Sequence, residues 1–84
     1  MTQVTLYSRP GCHLCDDARA VLQEEQVPFD EVDIESDDAL LKLYLERIPV
    51  VRIDGEDVFE FFVDAPQLRT RLAAANRGAG PNQR

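Results

Sequence analysis

The chain has 84 residues, 44% of them hydrophobic and 30% charged, with no Trp, which suits one small domain and leaves no room for two. That composition excludes the disordered, collagen-like and membrane-spanning classes. Nine Lys+Arg against sixteen Asp+Glu give a formal net charge of -7, which repels phosphate backbones and anionic headgroups and argues against nucleic acid or membrane as a partner.

The opening residues, Met1 to Tyr7, carry neither the basic stretch nor the long apolar run of an exported chain, so the expected compartment is the cytoplasm. Val4-Thr5-Leu6-Tyr7 alternates and is rich in β-branched and aromatic residues, which predicts a strand, and Ser8-Arg9-Pro10-Gly11 stops it as a loop. From Cys12 onward, Leu14, Cys15, Ala18, Val21, Leu22 and Glu25 recur at helical spacing, with Asp16 and Asp17 in the first turn and Val27-Pro28 as the stop. Cys12 therefore falls at a helix N-terminus. Residues 28–35 read as a short strand with Val32 and Ile34 on one face, and the acidity of Asp30, Glu31 and Asp33 suits a sheet edge.

Ser36-Asp37-Asp38 offers N-cap oxygens to a second helix, whose stripe of Leu40, Leu41, Tyr44, Leu45 and Ile48 ends at Pro49. Val50-Val51-Arg52-Ile53 predicts a strand, Asp54-Gly55 a tight hairpin, and residues 58–63 the returning antiparallel strand. Glu60 lies among apolar neighbours, either at a rim of the sheet or half-buried against an arginine. Asp64-Ala65-Pro66-Gln67 resembles a capping box ahead of a last helix with Leu68, Leu72 and Ala75 on its apolar face. That helix ends near Gly78, so the expected domain spans residues 1–77 and residues 78–84 form a flexible tail. Every acidic residue lies at or before Asp64, and the end of the chain carries only Arg69, Arg71, Arg77 and Arg84.

The order is β-α-β-α-β-β-α. A right-handed crossover makes the first two strands parallel, and the hairpin adds an antiparallel pair. The expected fold class is α/β, a four-stranded mixed sheet flanked by three helices.

Cys12 and Cys15 are the only cysteines, and a pair without an export signal points to redox or metal chemistry rather than a structural disulfide. A metal site needs about four ligands, and Cys12, Cys15 and the lone His13 supply at most three. One chain alone closes no structural zinc site, so the expected metal content is none, although a site shared between paired chains stays open. For redox chemistry the thiolate is the attacking form, and unpaired amides at a helix N-terminus favour it at Cys12. Arg9 and a protonated His13 add to that effect, whereas Asp16 and Asp17 oppose it. Cys15 shares the stripe of Ala18 and Leu22, so it should be buried and poorly reactive.

The run Tyr7-Ser8-Arg9-Pro10-Gly11-Cys12-His13-Leu14-Cys15 between a strand and a helix, followed by Ile48-Pro49-Val50 at the start of the third strand, resembles the glutaredoxin-like branch of the thioredoxin fold. The resemblance covers roughly residues 3–76. It implies that Cys12 is the nucleophile and Cys15 the resolving thiol, and that Pro49 is cis and lies beside them. It also implies substrate contacts at Arg9, His13, Ile48, Pro49 and Val50, with the Ile48 amide and carbonyl pairing with an extended partner. Glutathione-using members carry Gly-Gly before the last helix, whereas this chain has Phe61-Phe62-Val63-Asp64, and His13-Leu14 replaces the common Pro-Tyr. No bound cofactor is expected, and glutathione as electron donor is disfavoured by those departures. The expected protein is a monomeric thiol-disulfide oxidoreductase that acts on a protein or small-molecule disulfide and is recharged by a thiol reductant or a reductase. The alternative is a non-catalytic binding module of the same fold, holding metal or an iron-sulfur cluster between paired chains.

Overall fold

The computed structural model describes residues 2–78, with side chains through residue 75. Its elements are β1 (Val4–Ser8), α1 (His13–Glu24), β2 (Asp30–Asp33), a 3-10 turn (Ile34–Ser36), α2 (Asp38–Tyr44), β3 (Val50–Ile53), β4 (Glu56–Glu60) and α3 (Ala65–Gly78). The strand order is β2-β1-β3-β4, with β1 parallel to β2 and antiparallel to β3, and β3 antiparallel to β4. This is the expected thioredoxin-like α/β architecture, with the acidic strand β2 at an edge. Helix α3 includes Gly78, where the tail was expected to start, and residues 79–84 lie outside the described residues. Among the described residues no helix is long and apolar enough to cross a membrane.

Strand alternation sorts the interior into two clusters. Val4 and Leu6 of β1, Val51 and Ile53 of β3 and Phe59 of β4 are buried against Ala18 and Leu22 of α1 and Leu68 of α3. Full burial of one such Leu, Ile or Phe contributes about 1.5–3 kcal/mol, so this cluster dominates stability. Val50 joins the second cluster with Ile34, Tyr44, Ile48 and Cys15, and Tyr7 packs against it. The thiols sit at the end of this second cluster.

Four boundaries differ from the sequence expectation, each for a local reason. Strand β2 stops at Asp33 because the Asp33 carboxylate accepts the Glu35 amide at 2.8 Å and turns the chain into the 3-10 segment. Helix α2 is capped by Asp37, whose carboxylate accepts the Ala39 amide at 2.8 Å, and it ends at Tyr44, leaving Leu45 exposed rather than in the apolar stripe. Strand β4 starts directly after the hairpin, because φ of 51° at Asp54 and 86° at Gly55 pairs Ile53 with Glu56. It ends at Glu60, because Phe61 takes φ 70° and cannot extend a strand. Glu60 lies at the sheet rim and accepts from Arg47 Nε at 2.8 Å, which resolves its placement. At α3 the Asp64 carboxylate accepts the Gln67 amide at 3.0 Å, as a capping residue does.

Candidate functional site

The thiol pair is built by backbone first. Gly11 takes φ 79°, a turn that favours glycine and brings the chain from β1 into α1. A Cβ there would meet nothing within 4 Å, so backbone shape rather than space sets the requirement. Cys12 then occupies the N-cap of α1 in extended conformation, its carbonyl accepting the Asp16 amide at 3.1 Å. Its sulfur accepts the Cys15 amide at 3.2 Å, the role a Ser or Asp oxygen plays at an ordinary cap.

Both cysteines are free thiols, Cys12 half-buried and Cys15 buried. The Cys15 thiol is pushed up to about 12, first by burial and then by its hydrogen bond to Cys12, against a backbone bond from Arg9 and the positive charge of Arg19. Cys15 is therefore protonated at neutral pH. Its amide and its thiol both face the Cys12 sulfur, so a negative charge on the pair is best placed on Cys12.

Around the pair, Ile48, Pro49 and Val50 are buried, and Cys12 packs on the cluster that holds Ile48, Val50 and Cys15. The Ile48-Pro49 peptide is cis. The Ile48 amide donates to the Tyr44 carbonyl at 3.1 Å, so of the two groups expected to pair with a partner this one is already engaged. The Pro49 carbonyl accepts the Phe61 amide at 2.9 Å. Val50 is fully buried and offers no side-chain contact. His13 is exposed as the first residue of α1. Arg9 is not aimed at Cys12: its guanidinium binds Glu35, with Nε to oxygen at 2.9 Å.

Two polar networks flank the site and were missed by sequence reasoning. Tyr7 stacks on Tyr44 with ring centroids 4.6 Å apart, and the buried Tyr44 hydroxyl accepts from Arg52 at 2.7 Å. Asp57 accepts from Arg52 at 2.9 Å and from Arg47 at 3.2 Å. Burial pushes the Asp57 carboxyl up, but the bonds from Arg52, Tyr44 and Arg47 outweigh it and hold it below the usual range. Burial, with the Asp57 charge, also raises the Tyr44 phenol. On the other side of the site Arg19, four residues past Cys15, donates to Glu31 at 2.7 Å and to Asp16 at 2.8 Å, and Ser8 donates to Glu31 at 2.8 Å. Hydrogen bonding to Arg19 lowers the Glu31 carboxyl. The one signal in the sequence was the i,i+4 spacing of Cys15 and Arg19, which puts a cation on the helix face that carries the buried thiol. Among the described residues no three His, Cys, Asp or Glu side chains converge to hold a metal ion.

The family model Glutaredoxin-like domain (DUF836) matches residues 3–73. The chain belongs to this glutaredoxin-like family. An uncharacterized protein of Mycobacterium tuberculosis, Rv0508, is 32% identical over 91 residues, covering 98% of this chain and 94% of its own length. The X-ray structure of XcR50 from X. campestris is 40% identical with a TM-score of 0.74, over 84% of this chain and 96% of that one. The solution structure of glutaredoxin from Brucella melitensis is 25% identical with a TM-score of 0.61, over 90% of this chain and 87% of that one. The glutaredoxin-like assignment thus covers the Cys12-x-x-Cys15 pair and the elements that hold it.

Proposed function

We propose that the protein is a cytoplasmic thiol-disulfide oxidoreductase that reduces protein or small-molecule disulfides by cycling Cys12 and Cys15. The observation that carries this reading is the Cys12 sulfur, half-exposed at a helix N-cap and accepting the Cys15 amide at 3.2 Å, above a buried second thiol. Cys12 as thiolate attacks one sulfur of the partner's disulfide, forming a mixed disulfide and releasing the other sulfur as a thiolate that takes up a proton. Cys15 then gives up its proton and attacks the Cys12 sulfur. That step forms the Cys12–Cys15 disulfide and expels the second partner thiolate, so two electrons and two protons pass to the partner. A thiol or dithiol reductant returns the pair to the reduced state.

The second step is helped by the first. While Cys12 is free, its hydrogen bond and charge both raise the Cys15 thiol, and both effects vanish once Cys12 is bonded to a partner sulfur. Burial still opposes ionisation, with the Arg9 backbone and Arg19 acting the other way.

The experiment is trapping. Cys15→Ser, mixed with a disulfide substrate, should accumulate a stable mixed disulfide through Cys12, read by intact mass, and Cys12→Ser should accumulate none. Equal trapping through Cys15 would reverse the assigned roles, and no exchange by the wild type would end the redox reading. With glutathione and a thioredoxin reductase system offered separately as reductants, the glutathione-dependent rate should be the weaker.

A further inference from the structure

Cys15 must lose its proton inside an apolar cluster, and α1 brings a cation to the buried thiol without bringing it to the exposed one. Arg19 lies one helical turn past Cys15 on the same face, where Cβ atoms stand about 5–6 Å apart. Cys12, at the N-cap, is two turns away, about 10 Å along the axis. At that distance the charge is largely screened from a half-exposed sulfur. A free arginine would turn its head group to water, but here the sheet holds it. Glu31 on β2 accepts from Arg19 Nε at 2.7 Å, and Asp16 accepts from Arg19 at 2.8 Å. Glu31 in turn accepts the Ser8 hydroxyl at 2.8 Å, and Ser8 is buried in β1. The clamp leaves the Arg19 side chain 31% exposed.

Ser8 and Arg9 are consecutive, and each serves the same thiol: the Ser8 hydroxyl fixes the carboxylate that holds Arg19, and the Arg9 amide is bonded to Cys15. Both residues, with Pro10, Arg19, Glu31 and Asp33, line a cleft of about 360 Å³, which gives water a place beside the groups that favour the anion. The charges acting on Cys15 are those of Cys12, which opposes ionisation, and Arg19, which favours it. Asp16 lies mostly in water, its side chain 65% exposed, and the Glu31 carboxylate is engaged by Arg19 and Ser8. The Arg9 guanidinium is paired with Glu35, and His13 is exposed. Tyr44 of α2 and Tyr7 of β1 bring neutral phenols to the cluster around the thiol.

We propose that Arg19, clamped by Glu31 over Ser8, is a positioning residue for the resolving thiol: it speeds the attack of Cys15 on the mixed disulfide and leaves the attack of Cys12 on the partner unchanged. This rests on the redox reading of Cys12 and Cys15. In the step it serves, the Cys15 proton goes to water and the Cys15 sulfur bonds to the Cys12 sulfur. The partner's sulfur leaves with the electron pair of the broken bond and takes up a proton.

The test mixes the reduced protein with one equivalent of 4,4′-dithiodipyridine in stopped flow and follows thiopyridone release as a function of pH. The first thiopyridone reports attack by Cys12, and the second reports resolution by Cys15. Arg19→Met keeps an apolar stem and removes the charge. It should displace the pH profile of the second phase upward and slow that phase near neutral pH by about threefold, the net of a smaller thiolate fraction and a more nucleophilic thiolate. The first phase should match the wild type. Arg19→Lys should recover part of the loss, because it restores the charge without the two-pronged grip on Glu31. Leu22→Ala weakens the fold from the other cluster and should leave both phases as in the wild type. Equal second phases in the wild type and Arg19→Met, or a slowing of both phases together, overturn the inference and spare the redox function. So does a second phase no faster in Arg19→Lys than in Arg19→Met, which would make the charge irrelevant, or an equal slowing by Leu22→Ala, which would trace the effect to stability. Release of a single thiopyridone by the wild type ends the redox reading and this inference together.

Discussion

The interior has two halves of different character. The cluster between the sheet and helices α1 and α3 is hydrocarbon throughout, from Val4 and Leu6 to Phe59 and Leu68. The cluster on the thiol side holds a sulfhydryl and a phenol among its buried members, Cys15 and Tyr44. The first gains stability from area alone, and any volume-conserving apolar set serves it. The second buries polar groups, so each needs a partner: Tyr44 finds it in the Arg52–Asp57–Arg47 network, and the Cys15 thiol in Cys12 and the Arg9 backbone. Division of labour follows: one half holds the domain folded, and the other holds a protonated thiol under an accessible one.

The contrast breaks first in the hydrocarbon half. Leu22→Ala should cost about 2–5 kcal/mol by lost transfer and residual cavity, measured by urea denaturation, while the exchange rate of the folded fraction stays that of the wild type. A fall in that rate would mean the halves are coupled.

The polar half should show itself through pH. Asp57 has its carboxyl held low in the fold, so its contribution is fully present above the ordinary aspartate value of about 3.9 and drains away as pH falls through the lower folded value. Glu31, lowered by Arg19, acts in the same direction. Asp57→Asn should lose about 1.5–3 kcal/mol near neutral pH, the worth of hydrogen bonds to charged partners, and should flatten the acid limb of the stability curve. An unchanged acid limb would show that the network does not hold the thiol-side cluster.

The smallest effect is expected where an exposed ion pair replaces an imagined catalytic charge. Arg9→Ala removes the pair with Glu35, both side chains about 40% exposed, and should change stability by less than about 1 kcal/mol. Alkylation of Cys12 should proceed at nearly the wild-type rate. A marked slowing would return Arg9 to the role its place before the cysteines suggested.

What was legible follows the same division. The hydrocarbon half writes itself as period: alternation in Val4 to Tyr7 and helical spacing in Ala18, Leu22, Leu68 and Leu72 are one-dimensional signals of burial. The thiol pair was legible because its neighbours lie in sequence, Gly11 before it and α1 after it. The Tyr44–Arg52–Asp57 network was not, since its members come from α2, β3 and β4 and meet only after the hairpin folds back. The ion pair of Arg9 was illegible for the same reason: its guanidinium reaches across to Glu35 beyond β2, a partner 26 residues away in sequence. The end of β4 was misjudged because Phe61 and Phe62 look like strand residues, and nothing in their chemistry announces a positive φ.

Gly11 combines φ 79° with open space where a side chain would stand. The position therefore selects for handedness rather than size. Any L-residue with a β-carbon is disfavoured there, however small, whereas a D-amino acid has this region as its own preferred one and would fit with room for its side chain. A chemically synthesised chain with D-Ala at position 11 would keep the turn into the thiol helix and lose the freedom that glycine carries into the unfolded state. At this one residue the mirror-image building block suits the backbone better than any residue of the genetic code except glycine.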